Sequence, residues 1–168
     1  MVNTFLPFPD YQKVARMLDA KRLGKQRVEA YQILRINLGI ANGGGWKNHP
    51  AAVMWRGHEG MLCVYILAMC NRWVALGYQD TIADKVVEIM NNLDQSTFTN
   101  PWWMGNEEFH KSHRSNLVRK LPKHYRRFVE KGLRSNLPYK WPKPDGTLAV
   151  TKPKEKKKKG NHVSNQVS

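Results

Sequence analysis

Apolar residues recur at helical spacing from about Asp10 to Leu38. Val14, Met17, Leu18 and Val28 share one sector, and Val28, Tyr31, Ile33, Leu34 and Ile36 widen it further on. The spacing predicts one long central helix over 10–38, with Gly24 as a soft point because glycine is a poor helix former. A second helix is expected over 51–77, bent around Gly57 to Gly60, with Met61, Leu62, Tyr65, Leu67 and Trp73 as core material. Asp80 or Thr81 can cap a third reaching Leu93. A fourth is expected from Asn106 or Glu107 to Leu121, and a short one from His124 to Gly132. Runs that alternate apolar and polar residues are few. The class read from this pattern is all-α: a compact single-domain bundle of about four to five helices with a short extended N-terminal arm, Met1 to Pro9.

Composition adds a boundary and a partner. At 168 residues the chain suits one domain with a core of its own. From about Pro142 onward proline, glycine and lysine take over, and Lys156 to Lys159 are consecutive. We read residues 1–142 as the helical domain and 143–168 as a Lys-rich tail expected to be disordered. The formal charge is +15, and residues 1–150 alone keep +10. An excess of that size favours a polyanion, nucleic acid before membrane. Asn71 and Arg72 interrupt the best apolar run short of bilayer length, and no signal peptide is visible. The expected setting is therefore the cytoplasm, associated with the nucleoid, or an infected host cell for a phage-encoded chain. Cys63 and Cys70 are seven apart in an apolar pattern and read as buried thiols.

The stretch Leu18 to Glu29 carries six charges inside an apolar-spaced segment. On a helix Arg22, Gln26 and Glu29 lie about a turn apart, as do Arg22 and Lys25. A solvated face laced with ion pairs is the plain reading; a DNA-facing surface is the other. Around His113, the run HKSHRSN has the composition of a phosphate-binding face, which nominates His113, Arg114 and Asn116. Trp46, Lys47 and His49 follow three glycines in a flexible loop and could meet a base or a phosphate. His110-x-x-His113 lacks the further ligands a zinc site needs, and no Gly-x-Ser-x-Gly elbow is present. No metal and no cofactor are expected. A basic protein that acts on DNA without a metal can do glycosylic-bond chemistry with an amine. An α-amine, with a reference pKa near ~8, suits this better than a lysine. Val2 is small enough for Met1 to be removed, which would expose its α-amine.

The arm MVNTFL, the stretch LDAKRLGKQRVEA, the segment HPAAVMWRGHEGML with CNRWVALGYQDT, and the aromatic LPYKWP together resemble the pyrimidine-dimer DNA glycosylase family. The likeness is closest to the bacterial and phage branch carrying KRLGKQRVE, and spans roughly residues 1–142. It implies an all-α domain that flips a nucleotide at a thymine dimer, forms an imine through its N-terminal amine, and nicks the strand by β-elimination without a metal. Carried onto this chain, the amine is that of Val2, and Arg22 and Arg27 flank the catalytic carboxylate. In the dimer-specific enzymes a glutamate directly follows the first arginine; here Leu23 stands there. The catalytic carboxylate is then Glu29 or Asp19, with Glu29 preferred for its nearness to the Arg22–Gln26 sector. Lys25 and Gln26 join the arginines as expected DNA contacts. The implied partner is double-stranded DNA with a damaged or modified base, bound by a monomer, with no membrane role.

Overall fold

A computed structural model describes residues 2–151. Met1, whose removal the small Val2 favours, and most of the Lys-rich tail lie outside the described residues. Among those residues the chain forms seven α-helices and one antiparallel hairpin. This corrects the expectation of an all-α bundle of four to five helices.

The extra helices arise because two of the long predicted ones are broken. The first divides into α1 (Tyr11–Met17) and α2 (Ala20–Asn37). Leu18 is extended, and the Asp19 carboxylate accepts from the Arg22 amide at 3.3 Å, so an N-cap starts a new helix there. Gly24, the expected soft point, lies within α2 as a continuous part of the helix. A Cβ on Gly24 would lie 3.0 Å from the Trp73 ring, so glycine serves close packing. The second long helix divides into α3 (Pro50–Val53) and α4 (Glu59–Ala75). Between them Gly57 has φ +82°, a conformation that glycine adopts without strain.

Helix α5 (Ala83–Asn91) starts beyond Asp80, whose carboxylate accepts from the Ala83 amide at 2.8 Å. Helix α6 (Glu107–Lys120) is capped by Asn106, as its sequence predicts. Helix α7 is shorter and earlier than expected (Pro122–Tyr125), running into a 3-10 turn at Arg126–Phe128. The aromatic segment LPYKWP becomes strand β1 (Tyr139–Pro142), paired with β2 (Leu148–Thr151). The boundary read at Pro142 therefore falls inside this hairpin.

Helix α4 is the packing centre, meeting α1, α2 and α5. Leu23, Ile33 and Leu34 from α2 and Leu62, Tyr65 and Ile66 from α4 are fully buried, joined by Trp55, Trp103 and Phe109. Trp103 meets Trp55 edge-on at 5.0 Å, an arrangement aromatic pairs prefer. The hairpin lies on α6 and closes the core with Tyr139 and Trp141. No helix among the described residues is long and apolar enough to cross a membrane.

Candidate active site at the N-terminal arm

Arm residues 2–7 are buried, although a chain end rich in unpaired backbone groups belongs on a surface. Side chains make this burial tolerable by satisfying the backbone one group at a time. Gln26, 1% exposed on α2, satisfies two of these groups. Its Oε1 accepts from the Phe5 amide at 2.7 Å and the Tyr65 hydroxyl at 2.6 Å, while its Nε2 donates to the Asn3 carbonyl at 3.0 Å. The Tyr65 hydroxyl also lies 2.9 Å from the Phe5 carbonyl, so its one proton is shared between that oxygen and Gln26 Oε1. Trp55 Nε1 donates to the Thr4 hydroxyl at 3.0 Å.

Helix α6 holds the next residues. His113 Nδ1 accepts from the Leu6 amide at 2.9 Å, and His110 Nδ1 donates to the Leu6 carbonyl at 2.7 Å. Two rings one helical turn apart thus hold both backbone groups of one residue, in opposite tautomers. The Gly105 amide, donating to His110 Nε2 at 2.9 Å, is consistent with that assignment. Full burial, with His110 nearby, pushes the His113 pKa down to about 3, so the ring is neutral and able to accept. Arg114 Nη1 donates to the Pro7 carbonyl at 3.0 Å.

The arm so fixed leads its first residues to Glu29. The Asn3 amide lies 3.5 Å from Glu29 Oε2, one residue after Val2. Glu29 is half-buried; desolvation raises its carboxyl above the usual range, against the pull of the Asn3 amide and of Lys25. It stands on a stripe of α2 with Lys21 and Lys25 that separates two clefts. One, of about 180 Å³, is lined by Phe5, Arg22, Gln26 and Lys120 together with that stripe. The other, about 530 Å³, has largely apolar walls from Gly24, Val28, Trp46 and Trp73. Desolvation and the neighbouring Arg22, Arg119 and Lys25 hold the Lys120 ammonium below the usual lysine range.

Of the residues predicted for the site, the structure gathers Val2, Arg22, Lys25, Gln26, Glu29 and Trp46 around these two clefts and the arm. Val28, expected on the core sector, is 43% exposed and forms a cleft wall. Asp19 does not reach the arm. It caps α2, pairs with Arg22 Nη1 at 3.1 Å and accepts from the Tyr125 hydroxyl. Desolvation opposes its ionisation, but the bonds from Tyr125 and Arg22 outweigh it and hold its carboxyl below the usual range. Arg27 touches the larger cleft, yet its guanidinium is paired with Asp80, with Nε to Oδ1 at 2.9 Å, and lies over the Trp73 ring.

His113, Arg114 and Asn116 are buried and face inward. The first two hold the arm, Arg114 is paired with Glu107 and Glu130, and Asn116 donates to the Ser112 and Leu137 carbonyls. The composition of a phosphate-binding face is thus turned to holding the chain end. His49 caps α3 by accepting from the Ala51 amide at 3.0 Å, and Lys47 is exposed beside it. Lys21 and Lys120 were missed. Lys21 had a signal, being one turn before Lys25 on the stripe that reaches Glu29. Lys120 had none, since only the fold brings the end of α6 there.

A carboxylate of raised pKa, cations around it and a side-chain-anchored arm beside it make up the candidate site of a basic, mostly helical protein. The particular family follows from the sequence itself: a family model described as pyrimidine dimer DNA glycosylase matches residues 2–86, and the chain belongs to that family. The matched span contains the arm, α2 and α4. No curated protein and no solved structure gives a significant match.

Proposed function

We propose that the protein is a DNA glycosylase with an AP-lyase step, acting on a damaged or modified pyrimidine, with the pyrimidine dimer as first candidate. The observation that carries this reading is the arm: its backbone is held from Asn3 to Pro7 by side chains, and its Asn3 amide meets Glu29. With Met1 removed, the α-amine of Val2 starts that anchored segment. Its neutral form attacks the sugar C1′, and the glycosylic bond breaks with its electron pair leaving on the base, which takes up a proton. Opening of the sugar ring needs a proton at the ring oxygen, and a carboxyl of raised pKa beside the amine suits that donation. The resulting imine acidifies C2′; loss of that proton expels the 3′ phosphate and nicks the strand.

Arg22, Lys25, Lys21 and Lys120 are suited to holding the phosphates around the opened nucleotide. Leu23, fully buried where the dimer-specific enzymes carry a glutamate, favours a second reading: a basic nucleic-acid-binding protein without catalysis. Single-turnover base release from damaged duplex separates the two. The first reading predicts that Glu29→Gln lowers the rate at least about a hundredfold, the usual scale for a positioned acid. Release by neither parent nor variant, with tight binding by both, supports the second.

A further inference from the structure

Residues 119–134 contain seven cations, Arg119, Lys120, Lys123, Arg126, Arg127, Lys131 and Arg134, against one acid, Glu130. That acid is paired with Arg114, which is itself buried in holding the arm. Lys123, Arg126, Arg127, Lys131 and Arg134 are exposed, and among the described residues none of the five pairs with a carboxylate. So many unpaired like charges within a few turns repel one another, a cost that a polyanion would relieve.

The segment is held firmly and in a particular place. The Tyr125 hydroxyl accepts from the Asp19 amide at 3.1 Å, and His124 Nε2 meets the Met17 carbonyl at 2.7 Å. Helix α7 is therefore seated on the α1–α2 junction, where Asp19 holds Arg22 of the small cleft. Lys120, which lines that cleft, ends α6 two residues before α7 begins. Further along, Lys111, Lys131 and Arg134 line a cavity of about 300 Å³. The cations thus start at the cleft and continue away from it on a fixed scaffold, and the whole stretch lies outside the residues that match the family.

We infer that the exposed cations of α7 and the turns after it form a second DNA surface that grips the phosphate backbone of the duplex beside the opened nucleotide. The inference rests on the DNA-directed reading of the cleft, but not on its chemistry. Undamaged and abasic-site duplexes of ~30 and ~8 base pairs serve as probes. The binding constant is followed against salt for the protein and for the variant Lys123→Ala/Arg127→Ala/Lys131→Ala.

On the long duplex the slope of log binding constant against log salt is expected to fall by about 2 to 3, at ~0.9 for each phosphate that is no longer neutralised. On the short duplex, which ends before the flank, parent and variant should bind alike. An unchanged slope on the long duplex, in a variant whose melting temperature matches the parent's, overturns the inference. So does a loss confined to vesicles of anionic phospholipid, which would make this a membrane-facing surface. Imine trapping and base release by the parent report separately on the cleft: a changed slope with neither trapped imine nor released base keeps the surface and removes the glycosylase reading.

Discussion

Gln26 is the residue on which the chain end most depends. Gln26→Leu keeps the volume but strands the Phe5 amide, the Asn3 carbonyl and one bond of Tyr65. Unsatisfied buried groups cost roughly 1–3 kcal/mol each, so a loss of about 3 kcal/mol in urea unfolding is expected. Glu29 works in the opposite sense. Its carboxyl is raised by desolvation, so its ionisation opposes folding: the favourable contribution is complete below the unfolded pKa and is lost as pH rises through the folded one. Glu29→Gln should therefore melt at higher temperature than the parent at pH 7 and equally at pH 3, while losing base release. His113 gives a third test. Its pKa is depressed from 6.5 to about 3, so the stability it contributes is present above pH 6.5 and lost as pH falls toward 3. His113→Asn, which keeps an acceptor for the Leu6 amide, should show a shallower loss between pH 7 and 4 in denaturant titrations.

Helix periodicity found the regions of α2, α4 and α6 and the start of α6, but overran the starts of α2 and α4. An apolar spacing that continues through Leu18 and Asp19 conceals a break set by one cap, and Asp19 read as a candidate acid because its charge is legible while its bonds to Tyr125 are not. Asp19→Ala is expected to cost about 1 kcal/mol through removal of the cap, and to leave base release largely intact. Release abolished in a folded Asp19→Ala protein would return the catalytic carboxylate to Asp19. The hairpin was hidden for a different reason. Proline and lysine around Pro142 read as the start of a tail, although Asp145-Gly146 is a turn signal, and Gly146 takes φ +85° there. Strands of four residues flanked by proline leave no alternating pattern long enough to see.

Across the whole molecule, the charge and the Arg22–Gln26–Glu29 face were legible because they depend on one helix. The arm was not, because its partners stand as far off as Tyr65, His110, His113 and Arg114, and only the packing of α4 and α6 on α2 brings them to it. That architecture sets the arm beside Glu29, where the proposed chemistry needs it. The most direct test is to treat the mature protein and an abasic-site duplex with borohydride, digest the covalent adduct and locate the modified residue by mass spectrometry. The sugar is expected on the α-nitrogen of Val2, with no adduct once that amine has been blocked. An adduct on an internal lysine such as Lys25 or Lys120, or strand nicking with no adduct, would contradict the amine mechanism.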